Sequence, residues 1–152
     1  ALPIFSLCAS ADLVVAVDSA KFTSAYTKAG LSPDGSSTYF LPRRIGDRRA
    51  RELMLTNRVL SAAEAESWGL VNQVVPEDQL TEATSALVSM MTAGPTRAFG
   101  AVKRLLNESS HTSLETQMEL ETREIASCAM SEDGQEGISA FLAKRAPSYR
   151  GQ

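Results

Sequence analysis

The sequence predicts an α/β chain with few strands and many helices. Three observations carry this reading. A short β-branched run, Leu13-Val14-Val15-Ala16-Val17, has the length and composition of a buried strand. A second apolar stretch, Leu70 to Val75, reads as another short strand, broken by Pro76. Beyond it the apolar residues recur at helical spacing to the end of the chain. So few and such short strands cannot close a large sheet by themselves.

Taken in order, the first strand is followed by a short extended piece near Lys21 to Thr23. Gly30-Leu31-Ser32-Pro33-Asp34-Gly35 comes next. Pro33 fixes its own φ and Gly35 can take φ > 0, so Asp34 is expected on a sharp turn. Pro-Asp-Gly is also a common turn tripeptide in which Asp simply bonds local backbone, so two readings of Asp34 stand side by side. Pro42 is expected near a helix start, where its missing N–H costs nothing. Residues 46 to 56 read as a helix with Ala50, Leu53, Met54 and Leu55 inward, ended by Asn57. Ser61-Ala62-Ala63-Glu64 is a capping box opening a helix over Ala62 to Trp68, closed by Gly69.

Three longer helices follow. The first spans Asp78 to Thr92. The second opens at Pro95 and carries Phe99, Val102, Leu105 and Leu106. The third is capped by Ser113 and carries Leu114, Met118, Ile125 and Ala129. A last helix starts at Ser131, passes Ile138, Phe141 and Leu142, and stops at Pro147.

At 152 residues the length suits one domain. A net charge of −3 argues against a general nucleic-acid or membrane-surface binder. The longest apolar run is far too short for a membrane span. There is no signal-peptide pattern and no initiator Met. Cys8, Cys128 and His111 have no zinc-like spacing, and two cysteines make no disulfide framework. A reducing, cytoplasmic setting is expected. No Gly-rich phosphate loop with a following Lys is present, no metal ligands cluster, and no cofactor is expected. Ser36 and Ser37 lack a Gly-x-Ser-x-Gly frame, and His111 reads as a lone surface histidine, so a serine hydrolase is the weakest option. Arg43, Arg44, Arg48, Arg49 and Arg51 form a basic cluster, read first as a solvated face and second as an anion contact. Asp34 is then the remaining acid–base candidate.

The motifs together resemble those of the crotonase superfamily, the enoyl-CoA hydratases and isomerases. They are Ala11-Asp12-Leu13-Val14-Val15-Ala16, Ser19-Ala20-Lys21-Phe22, Gly30 to Gly35 and Leu41-Pro42-Arg43-Arg44-Ile45-Gly46. Ser61 to Ala65 with Gly69-Leu70-Val71, and Glu136 to Arg145, complete the set. Their order holds from about Ser6 to Tyr149. The resemblance implies a spiral of ββα turns over residues 1–76 and a helical oligomerisation region over 77–152. It implies a trimer or a dimer of trimers acting on an acyl-CoA.

It also implies an N-terminally truncated chain that begins midway. One oxyanion donor then belongs to the missing half, and the other falls at Pro3, which has no N–H. Ala1 to Ile4 reads as foreign to the pattern. The two glutamates with which hydratases handle water map onto Ser6 and Tyr26. Asp34 maps onto the aspartate of isomerase-type members. The resemblance favours an isomerase with Asp34 as a one-carboxylate proton shuttle through an enolate, with a hydratase as the neighbouring activity. Phe22, Tyr26, Phe40 and Leu41 are expected around the acyl chain, and Lys144 and Arg145 at the CoA phosphates. The alternative is a catalytically impaired fragment that only folds and oligomerises.

Overall fold

The computed structural model describes residues 4–152. The expectations for Ala1 to Pro3, including the missing donor at Pro3, lie outside the described residues. Two units form, one up to Thr84 and one from Ser85 to Gln152; the boundary falls inside a helix.

The first unit opens with a helix that the sequence did not signal, α1 (Ile4–Ser10). It has no capping residue or long periodic stripe to announce it. It forms because Ser6 and Ala9, three apart, bury one face at 1% exposure each, while Leu7 points outward. The loose carbonyls at its C-terminal end are met by Arg44, which donates to Ala9 O at 3.4 Å and Ala11 O at 3.2 Å. One member of the basic cluster is thus a helix cap, where a cation suits the dipole.

Strand β1 (Val15–Val17) pairs in parallel with β4 (Gln73–Val75), Val15 facing Gln73 and Val17 facing Val75. Asn72 extends the pairing: its Oδ1 accepts from Val14 N at 2.8 Å and its own N–H donates to Val14 O. Strand β2 (Lys21–Phe22) pairs antiparallel with β3 (Leu60–Ser61). Two such ribbons are unstable alone. They survive because the helices bury Ala16, Phe22, Leu60 and Val71 into one core with Leu41, Ile45, Ala50 and Leu53.

Helix α2 (Ser37–Ile45) packs on both α1 and α3 (Asp47–Thr56). Pro42 lies inside α2 rather than near its start. Its missing N–H removes one helical bond, in a helix whose last residue, Ile45, comes three residues later and whose neighbours Leu41 and Ile45 are buried in the core. Gly46 has φ 85°, which lets α2 turn straight into α3. In α3, Ala50 and Leu53 are buried as expected, whereas Leu55 is 70% exposed. Asn57 ends α3 in the left-handed region at φ 55°, and its Oδ1 accepts from Thr27 and Lys28. That bond anchors the 3-10 turn at Thr27–Ala29. The capping box at Ser61 and Glu64 forms, opening α4 (Ala62–Ser67), and Gly69 follows at φ 80°. A 3-10 turn at Glu77–Gln79 leads into α5 (Leu80–Ala93).

The second unit is helical: α6 (Thr96–Glu108), α7 (Leu114–Ala129) and α8 (Glu132–Leu142). Ser113 and Ser131 cap α7 and α8 through their hydroxyls. Arg104 spans to Glu124 and Gln117 Nε2 donates to Leu105 O, tying α6 to α7. Helix α8 ends before Pro147. Arg145 N donates to Ala140 O and Lys144 N to Phe141 O, a Schellman closure with Lys144 at φ 52° in the usual glycine position.

Gly134, in the first turn of α8, passes so close to α7 that a Cβ would lie 2.0 Å from Cys128 O. Gly134→Ala is therefore expected to force the α7–α8 corner apart, at about 1–3 kcal/mol or more. Chemical denaturation of the variant checks this.

The C-terminal segment is clasped by α8. Arg150 N and Gly151 N donate to the two carboxylate oxygens of the buried Asp133, at 2.7 and 2.8 Å. Glu136 accepts both Arg145 nitrogens, at 2.6 and 2.7 Å, and Ser148 N at 2.9 Å. The Arg145 bond, then the Ser148 N–H, lowers the Glu136 carboxyl from the ordinary 4.5 to about 2. Its folded value is depressed, so its stabilisation is present above the unfolded value and lost as pH falls through the folded one. Between pH 4.5 and about 2 the Glu136 side of the clasp should loosen. Amide exchange at Ser148, accelerating in that window in the native chain but not in Glu136→Gln, is the expected signature.

Candidate active site

Asp34 sits three residues ahead of α2. Gly35 at φ 59° and Ser36 at φ 60° are both left-handed, and Ser37 N donates back to Asp34 O at 3.2 Å. This is the geometry of a type I′ turn, affordable here because the first central residue is glycine. Two hydroxyls reinforce it: Ser37 Oγ donates to the same carbonyl at 2.8 Å and Ser6 Oγ at 3.2 Å. Ser37 and Ser6 are 0% and 1% exposed. The backbone of Asp34 is pinned from the interior while its side chain is exposed.

Among the described residues the carboxylate is bonded by Tyr26. Tyr26 Oη donates to Asp34 Oδ1 at 2.6 Å, and Ser6 Oγ lies 3.3 Å from Tyr26 Oη. Tyr26 is placed by the 3-10 turn that begins at the next residue. Its phenol is raised above its ordinary value, first because ionising it would break the bond to Asp34. Ser6 and Tyr26, read in sequence as separate replacements for glutamates, both donate to Asp34, Ser6 to its main-chain carbonyl and Tyr26 to its carboxylate.

The remaining candidates fall elsewhere. Phe22 and Leu41 are buried in the first unit's core, at 8% and 0% exposure. Phe40 is half-buried against the same core and meets the Tyr39 ring edge-on at 5.1 Å. An apolar residue beside a turn serves a core as readily as a slot, and sequence does not separate the two. Arg145 is committed to Glu136, while Lys144 is exposed. Ser37 spends its hydroxyl proton on Asp34 O and is buried, which removes it as a nucleophile. The contribution that sequence reasoning missed is that of Ser37, whose signal was its i+3 spacing from Asp34. Arg43 and Arg49 lie over the Tyr39 and Trp68 rings at 3.7 and 4.8 Å, and Arg51 pairs with Asp47.

Among the described residues no group of His, Cys, Asp and Glu could hold a metal ion, and no helix is long and apolar enough to cross a membrane. Short strand pairs packed with helices make the first unit α/β, and its likeness to known proteins makes it crotonase-type. The match extends along the chain: residues 5–152 fit the family model for enoyl-CoA hydratase/isomerase, and the chain belongs to that family. It is 39% identical over 147 residues to the 1,2-epoxyphenylacetyl-CoA isomerase of Escherichia coli K12, covering 97% of this chain and 56% of that one. It is 36% identical over 133 residues to 4-chlorobenzoyl coenzyme A dehalogenase-1 of an Arthrobacter species, covering 88% and 48%. Among solved structures, a Mycobacterium abscessus protein assigned as an enoyl-CoA hydratase/isomerase superposes with TM-score 0.94 at 34% identity, covering 97% and 57%. The chain therefore spans about half the length of the relatives it matches.

Proposed function

We propose that this chain carries the catalytic base of an acyl-CoA isomerase, and that Asp34 is that base. The observation behind this reading is an exposed carboxylate on a backbone held by three hydrogen bonds, with one oxygen occupied by Tyr26. Family membership and the isomerase relative support it. In the proposed reaction Asp34 takes a proton from the carbon next to the thioester. The C–H electron pair moves into the thioester carbonyl as an enolate. The same proton is returned two carbons along, and the double bond shifts. A single carboxylate suffices, because nothing is added to the substrate. Ser6 and Tyr26 offer no second carboxylate for adding water, which favours isomerisation over hydration.

Oxyanion donors are required in addition, and one such donor contributes about 10²–10³ in rate. Because the chain spans about half of its relatives' length, weak turnover is expected from it alone. Lys144 remains the phosphate contact in this reading. The exposed apolar side chains of α6 and α7, Phe99, Val102, Leu106, Leu114, Met118 and Ile125, are proposed to pack between copies in a trimer. The test is deuterium exchange at the α-carbon of an enoyl-CoA, comparing the native chain with Asp34→Asn, each also in a form spanning the relatives' length. Loss of exchange with Asn supports the base; undiminished exchange removes it.

A further inference from the structure

We propose that Tyr26 is the positioning residue of Asp34: its hydroxyl holds Oδ1, so that Oδ2 alone takes and returns the proton. This deepens the reading of Asp34 as the base and rests on it. A carboxylate at the end of one short side chain can rotate, and a proton shuttle between two carbons needs one oxygen held over both. The backbone bonds from Ser37 and Ser6 fix where Asp34 starts but not how its carboxylate turns. The phenol at 2.6 Å supplies that second restraint. A bond this short to a carboxylate oxygen is of the strong kind. The phenol oxygen lies 3.3 Å from Ser6 Oγ, a side chain 1% exposed on α1. Tyr26 therefore bridges the interior of the unit to the exposed carboxylate.

Three charged groups of the neighbouring elements are turned to other partners. Arg44 faces the carbonyls of Ala9 and Ala11, Arg43 lies over Tyr39, and Glu52 pairs with Arg58. Cys8 on α1 has its thiol pushed up by burial, and Lys28, on the same 3-10 turn as Tyr26, is exposed. The raised phenol of Tyr26 agrees with this arrangement, its first cause being the bond to Asp34.

The experiment has two arms. In the first, phenolate absorbance is followed against pH in the native chain, Tyr26→Phe and Asp34→Asn; subtracting the Tyr26→Phe curve isolates Tyr26 from Tyr39 and Tyr149. The expected result is a Tyr26 phenol that titrates above its ordinary 10 and returns towards it in Asp34→Asn. In the second, Tyr26→Phe is assayed with an enoyl-CoA in a form spanning the relatives' length. Its kcat should fall about ten- to hundredfold with KM nearly unchanged, the mark of misaligned chemistry rather than lost binding. A Tyr26 titration indifferent to Asp34→Asn, or a Tyr26→Phe variant with native kcat, overturns the positioning role and leaves Asp34 as base. Full activity in Asp34→Asn overturns the base itself, whatever the phenol does. Should the assayed form prove inactive, the phenol titration decides alone.

Discussion

Asp34→Asn is expected to lower enoyl-CoA isomerisation by about 10²–10⁴-fold, the usual loss when a general base is removed. The substitution is close to isosteric, and every bond that holds the turn is kept. Ser37 and Ser6 bond the main-chain carbonyl of residue 34, which Asn retains. Tyr26 can still donate to an amide oxygen where it now donates to Oδ1. What disappears is the oxygen able to accept a proton. The denaturation midpoint should therefore stay close to the native one while turnover falls. Measuring isomer formation and α-carbon deuterium incorporation together separates this outcome from simple unfolding. If Asn at 34 isomerises as fast as Asp in a form spanning the relatives' length, Asp34 is not the base.

The legible parts of this fold are those whose physics is local. Ser61, Ser113 and Ser131 cap helices because each hydroxyl meets the N–H three residues on. Asn57 takes the left-handed cap of α3 for a similarly local reason. The Pro33-Asp34-Gly35 turn belongs to the same class: Gly35 has the positive φ that its residue type allows. What escaped the sequence depends on contacts between distant segments. Helix α1 exists because Ser6 and Ala9 find α2, more than twenty-five residues away. The place of Pro42 inside α2 is tolerated by packing and overrides a propensity that sequence alone weighs heavily. The bonds from Ser6 and Tyr26 to Asp34 span separations of 28 and 8 residues, so no motif announces them.

Leu41→Ala separates the two roles that an apolar residue near Asp34 could have. Leu41 is 0% exposed and lies one helical turn from both Ser37 and Ile45, so these three make the buried stripe of a nine-residue helix. Truncating it removes an isopropyl group from the first unit's core. The expected loss is about 2–5 kcal/mol, transfer and cavity terms together. That is a large share of the stability of an ordinary domain, about 5–15 kcal/mol. The effect should reach the site indirectly. Ser37, on the same face of α2, holds the carbonyl of Asp34, so a loosened α2 lets the turn wander. Urea denaturation should show a lower midpoint, and any fall in turnover should accompany it. Were Leu41 instead to line an acyl slot, the signature would differ: KM would change with acyl-chain length while the midpoint stayed near the native value. A native-like midpoint in Leu41→Ala would overturn its placement in the core.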